Sequence, residues 1–224
     1  MLAFKIVLKK SMDEIEVVSF DAEGTLVTPD FSYGIWYEAI PELYARREGI
    51  EFERARDIVS EEYQKVGSQR LEWYDIGYWF SHFDLGAPDP VIERFKRKVR
   101  YYPEVHDVLL SLNGRYKLIV ASGTPMELLP CLLHGIESYF ANIFSSISHY
   151  GQLKEPDFYF KVCRSLEIQP NQVVHIGDNW QFDFLNARQA GIRAFHLDRK
   201  REAGHQHSLT DLAQLKFNLI SYGG

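Results

Sequence analysis

The sequence predicts an α/β fold: an open parallel sheet interrupted once by an inserted bundle of helices. Three observations carry this. After Pro103, short apolar runs rich in β-branched residues alternate with helical stretches, the pattern of a parallel sheet with right-handed crossovers. Between residues 31 and 100 such runs vanish and a helical period takes over. Four segments, far apart in the chain, each place polar groups at the end of an expected strand, and an open α/β sheet binds its ligands beyond the carboxyl ends of its strands.

The elements follow in order. Residues 2–8 read as an extra strand of unassigned place, and residues 15–20 as a buried strand running into a loop. Ile35, Ala39, Leu43 and Tyr44 share one helical face, as do Ala55, Ile58, Val59 and Tyr63. Residues 71–83 read as an aromatic-rich helix and 91–99 as another, with Gly49, Gly67 and Gly86 as punctuation. Helices are expected at 104–112, 125–134, 156–166 and 181–190. Strands are expected at 116–121, 143–144, 173–176 and 193–196. A short amphipathic helix should occupy 209–219. The expected division is a core of residues 1–30 and 101–224 with a helical unit at 31–100.

Composition narrows the function. The 224 residues are 46% hydrophobic and 25% charged, as in ordinary globular proteins. A formal charge of −6 argues against nucleic-acid or anionic-membrane partners, which need a positive surface. The basic run at 94–100 reads as a solvated helix face. Cys131 and Cys163 have neither metal-ligand nor disulfide-framework spacing and are expected to be buried free thiols. No apolar run reaches the roughly 20 residues of a membrane span, and the start lacks a cleavage site, so a cytoplasmic enzyme is expected.

The four polar segments carry the chemistry. They are Asp21-Ala22-Glu23-Gly24-Thr25, Ser122-Gly123-Thr124, Lys154 ahead of Glu155-Pro156-Asp157, and Gly177-Asp178-Asn179 with Asp183 five residues after Asp178. Each alone is an ordinary turn or helix cap. Together they supply a nucleophilic carboxylate, a hydroxyl, an ammonium and a second acidic cluster, most of what phosphoryl transfer needs.

These motifs, in this order, resemble those of the haloacid dehalogenase-like (HAD) superfamily, and the resemblance spans nearly the whole chain. It implies a Rossmann-like core with a helical-bundle cap of the C1 type. It also implies that Asp21 attacks a phosphorus centre to form an aspartyl-phosphate. Ser122, Gly123 and Lys154 would hold the phosphoryl group. Mg²⁺ would be held by Asp21, the Glu23 carbonyl and Asp178, with Asp183 nearby. Gly24 would permit close backbone approach. The chain departs from the family at Glu23, where Asp is usual as the acid that protonates the leaving oxygen. Glu keeps the carboxyl but adds a methylene.

The expected activity is therefore a Mg²⁺-dependent phosphatase acting on a small phosphorylated metabolite. One alternative is a metal-independent 2-haloacid dehalogenase with an ester at Asp21, although such enzymes usually carry Tyr where Glu23 stands. The other is a low-activity binding or regulatory protein. Trp36, with Tyr33 and Tyr37, is a candidate for lining the substrate entrance. Trp73, Tyr74, Tyr78, Trp79 and Phe80 read mainly as the core of the helical unit, and Trp180 as a site rim or a packing residue. Arg46, Arg47 and Arg70 are candidates for a remote anionic group. His205 and His207 make a weak metal signal, and His175 reads as a packed histidine.

Overall fold

Every side chain of Val17–Phe20 is buried, because this strand is covered on both faces. In the computed structural model, which describes residues 14–201, 208–215 and 219, it is β1 of a six-stranded, all-parallel sheet. The others are β2 (Lys117–Ser122), β3 (Asn142–Ser145), β4 (Val173–Gly177), β5 (Arg193–Leu197) and β6 (Ser208–Leu209), in the order β3-β2-β1-β4-β5-β6. The chain leaves β1 toward β2 on one side and reaches β4 on the other. The order therefore reverses beside β1, and a crevice opens there.

Alternation along the strands feeds two apolar layers. Val18, Phe20, Leu118, Val120, Val174 and Ile176 join one cluster, while Val17, Ile119, Ala121 and Val173 join the other. Into the first layer the chain inserts α1 (Asp30–Gly34), α2 (Ile40–Glu48), α3 (Phe52–Val66), α4 (Ile76–His82) and α5 (Asp89–Phe95). A π-helical turn, Ile35–Ala39, joins α1 to α2. Buried Ile35, Val59, Trp79 and Phe80 make the apolar layer continuous from the sheet into these helices. The segments leading into and out of the insertion are tied together. Thr28 N–H donates to the Arg100 carbonyl (2.8 Å), and Tyr102 N–H to the Leu26 carbonyl (3.2 Å).

Sheet-covering helices follow: α6 (Val105–Leu112), α7 (Leu129–Leu132), α8 (Ser146–Tyr150), α9 (Pro156–Leu166) and α10 (Asn186–Gln189). The apolar residues of α6 and α7 join the first layer, and those of α9 the second.

Several elements differ from expectation. Residues 71–83 form a 3₁₀ turn (Leu71–Tyr74) and then α4, because the Asp75 carboxylate caps the new helix by accepting from Tyr78 N–H at 3.0 Å. The helix expected at 91–99 ends at Phe95 and tightens into a 3₁₀ turn, Lys96–Lys98. The 125–134 stretch is α-helical only over α7. The 181–190 stretch begins as a π-helix, Trp180–Leu185. Leu209 lies in β6, with residues 213–215 helical after it. Cys163 is buried, but Cys131 is only half-buried. The strand expected at 2–8 and the histidines at 205 and 207 lie outside the described residues. Among the described residues, no helix is long and apolar enough to cross a membrane.

The seat of α1 depends on a missing side chain. A Cβ on Gly34 would overlap the ring of Phe95, which is buried beneath it. Gly34→Ala should therefore destabilise the protein by about 1–3 kcal/mol through overpacking. A thermal or urea melt matching the parent would show that this packing is slack.

Candidate active site

The loop after β1 is held at both ends. Asp21 N–H donates to the Ile176 carbonyl of β4 (2.9 Å), and Gly24 N–H to the Val27 carbonyl (2.8 Å). Gly24 has φ +73°, and a Cβ there would overlap the Asp178 carboxylate. Only glycine brings the two motifs this close.

Lys154 does not end a strand as expected: α8 intervenes after β3, and Lys154 approaches from the loop just ahead of α9, 5% exposed. Its Nζ donates to Asp21 Oδ1 at 2.8 Å and, in a closer contact, to Asp183 Oδ1. Asn186 fixes the Lys154 backbone, donating from Nδ2 to its carbonyl at 2.9 Å. Asp183 also accepts from His175 Nε2 (3.1 Å) and, through Oδ2, from Asn179 N–H (2.9 Å). A carboxylate only accepts, so His175 carries its proton on Nε2, and Nδ1 accepts from the Ser19 hydroxyl at 2.8 Å. Ser19 and His175 are register partners on β1 and β4. A buried polar chain therefore runs beneath the loop from Ser19 through His175, Asp183 and Lys154 to Asp21.

Charge in this cluster is unbalanced. Burial alone would lower the Lys154 pKa, but Asp183 and Asp21 outweigh it and hold the ammonium charged. Burial alone would raise Asp183, but Lys154 and His175 outweigh it and hold this carboxylate well below its usual range. His175 is lowered by burial and stays neutral. Asp21 and Asp178 are both raised. Burial is the main cause in each, with repulsion from Asp183 added at Asp21 and from Asp21 and Asp183 at Asp178. One lysine does not neutralise three acids. Carboxylate oxygens of Asp21, Asp178 and Asp183 lie within 4.8 Å of one another, and Asp178 is open to the cavity. Hard oxygen donors with uncompensated negative charge fit a divalent cation such as Mg²⁺.

Glu23 stands beside Asp21. Burial pushes its pKa up to about 7, Asp21 adds to the rise, and polar contact with Ser32 of α1 opposes it. Its Oε1 is buried and has no hydrogen-bond partner among the described residues. On the other side Ser122, 1% exposed, is oriented by Thr124, whose N–H donates to Ser122 Oγ at 3.2 Å.

Asp21, Glu23, Ser122, Gly123, Lys154, Asp178, Asp183 and Trp36 all line one cavity of about 870 Å³. Tyr33 and Tyr37 point to solvent instead. Of the aromatic patch, Tyr74 lines the cavity, while Trp79 and Phe80 are core. Trp180 lines the cavity while stacking on Phe184, ring centroids 4.4 Å apart. Arg46, Arg47 and Arg70 pair with Glu42, Glu48 and Asp84, and Glu72, away from the cavity wall. Sequence reasoning missed Ser32, Tyr102 and Arg199, which also line it. Arg199 follows a strand end, so the strand-end rule applied to β5 would have found it. His175 packs, as expected, but it also supports Asp183.

The raised Glu23 pKa has a consequence for stability. Between pH 4.5 and about 7 the folded protein binds this proton and the unfolded chain does not. The contribution is full below pH 4.5 and is lost as pH rises through about 7. In chelator-treated protein, denaturant titrations should show stability falling over this window, with Glu23 contributing about 3 kcal/mol. Glu23→Gln should remove that share, and an unchanged slope would refute the burial of this carboxyl.

Comparison with known proteins agrees with this fold. The GMP/IMP nucleotidase YrfG of Escherichia coli (strain K12) is 22% identical over 183 residues, 80% of this chain and 81% of that protein. A HAD phosphatase from Thermococcus onnurineus superimposes with a TM-score of 0.81 at 24% identity, covering 92% of this chain and 98% of that one. A 2-haloacid dehalogenase from Pseudomonas syringae pv. Tomato DC3000 gives 0.66 at 21%, covering 93% and 100%. At these identities the structural likeness establishes the fold. Residues 15–191 match the haloacid dehalogenase-like hydrolases, and the chain belongs to that family.

Proposed function

We propose that this hydrolase is a Mg²⁺-assisted cytoplasmic phosphatase, built as a core of residues 1–30 and 101–224 with a cap at 31–100. Its substrate is a phosphate monoester bearing a flat aromatic group, of the nucleoside monophosphate kind. The observation that carries the chemistry is the buried Lys154 ammonium between Asp21 and Asp183, with Asp178 alongside. This arrangement suits attack on phosphorus beside a cation. Three things support the substrate class. The cavity is far larger than a phosphate group needs, Trp36, Tyr74 and Trp180 line it, and a relative is named for GMP and IMP.

In the first half-reaction an Asp21 carboxylate oxygen attacks phosphorus. The bond to the leaving oxygen breaks, and Glu23, mainly protonated below about pH 7, gives that oxygen its proton. In the second, the Glu23 carboxylate takes a proton from water as it attacks the aspartyl-phosphate. The bond to Asp21 breaks, phosphate leaves, and both carboxyls return to their starting states. Lys154 steadies Asp21 and offsets charge on the phosphoryl oxygens, while Ser122 and the Gly123 backbone bind those oxygens. Asp21, Asp178 and the Glu23 carbonyl, with Asp183 behind them, would hold the cation. When bound, it supplies positive charge that offsets repulsion between nucleophile and phosphate. Trp36 and Tyr74 offer aromatic surface to the leaving group.

Phosphate release from p-nitrophenyl phosphate and from GMP should require Mg²⁺, and chloroacetate should yield no chloride. Chloride release without a metal, and no phosphate release, would overturn the proposal in favour of dehalogenation. Glu23→Gln should cut turnover of GMP by about 10²–10⁴-fold while Mg²⁺ binding, read by calorimetry, survives. Trp36→Ala should raise KM for GMP by about tenfold and leave glycerol phosphate unaffected. Equal effects on both esters would remove Trp36 from base recognition.

A further inference from the structure

Arg199 follows β5 on the cavity wall, 15% exposed at its side chain. An arginine on the wall of this cavity invites a role in anion binding. Its contacts argue otherwise. Nε donates to the Gly24 carbonyl (3.1 Å) and Nη2 to the Thr25 carbonyl (2.7 Å). Nη1 pairs with Glu104 Oε1 at 2.8 Å. The flat face covers the Tyr102 ring, with Cζ 3.4 Å from its centroid. Each guanidinium nitrogen is engaged by a protein oxygen, and the charge is met by Glu104.

These partners belong to two segments. Gly24 and Thr25 close the loop that carries Asp21 and Glu23. Tyr102 and Glu104 lie where the chain returns from the helical insertion. The segments already touch through Tyr102 N–H on the Leu26 carbonyl and Thr28 N–H on the Arg100 carbonyl. Gly24 is also pressed against Asp178 from the far side. Arg199 thus completes the enclosure of a loop whose nucleophile and acid must stay aligned. It also ties that loop to the insertion that covers the cavity.

We propose that Arg199 is a positioning residue: a guanidinium bracket that locks the Asp21–Thr25 loop to the Tyr102–Glu104 return segment. Lysine cannot replace it, because an ammonium has neither the planar fork nor the face that covers Tyr102. The kinetic part of this proposal rests on the phosphatase reading above.

The test is steady-state kinetics of Arg199→Ala and Arg199→Lys with p-nitrophenyl phosphate, beside amide hydrogen exchange of both variants. Both should lower kcat by about 10–100-fold, the cost of an ångström-scale misplacement. KM should stay within about threefold, because ground-state binding is untouched. Amides of residues 21–28 and 100–105 should exchange faster while those of β4 and α9 keep parental rates. A raised KM with unchanged kcat would make Arg199 an anion binder and overturn the proposal. Parental exchange in residues 21–28, a uniform rise across the sheet, or full activity in Arg199→Lys would overturn it too. If the parent itself releases no phosphate, the phosphatase reading falls and the exchange pattern alone decides on the bracket.

Discussion

The buried ammonium of Lys154 is the constraint on which the site depends. It sits between two carboxylates, Asp21 and Asp183, that come from opposite ends of the sequence. Removing one partner of a buried ion pair typically costs about 3–5 kcal/mol, because the other charge stays desolvated. The sheet order makes the meeting possible. β1 and β4 are neighbours, so Asp21 and the Gly177-Asp178 turn emerge side by side, and the loop ahead of α9 brings Lys154 to them. The Ser19–His175 pair belongs to the same constraint. A neutral imidazole donating from Nε2 occupies the Asp183 oxygen that Lys154 also needs, which fixes Asp183 without adding a charge.

Much of this was legible in the sequence, because strand ends in an open sheet are read from short apolar runs. The terminal residues of 15–20, 116–121 and 173–176 were enough to place Asp21, Ser122 and Asp178 at one crevice. What was not legible depended on long-range partners. Arg199 looks like a surface arginine until Tyr102 and Glu104 are beside it. His175 reads as packing until the register sets it opposite Ser19. The break at Asp75 was hidden because a helical run of apolar residues continues through it, and a capping carboxylate won over the periodicity.

The π-helical turns were hidden for another reason. One extra residue in a turn shifts which side chains face inward, and the sequence period does not record that shift. Both π turns border the cavity. Ile35–Ala39 carries Trp36 and Trp180–Leu185 carries Trp180. The second also holds Asp183, so one irregular turn supplies the acid beneath the site and an aromatic ring at its rim. A regular helix there would misplace one of the two.

Glu23 brings these threads together. An Asp at this place would be one methylene shorter. The longer side chain carries its carboxyl toward Ser32 of α1, under the helical insertion, and burial there sets its pKa near 7. The protonation of Glu23 therefore answers to both segments: Asp21 in its own loop raises its pKa, and Ser32 of the insertion lowers it. The same helix seats against Phe95 only because residue 34 is glycine. Packing of the insertion, protonation of Glu23 and the placing of Trp36 are thus parts of one mechanical unit. A shift of α1 that exposed Glu23 to water would weaken the burial that raises its pKa, so the seat of α1 and the protonation of Glu23 are coupled through Ser32 and the cavity wall.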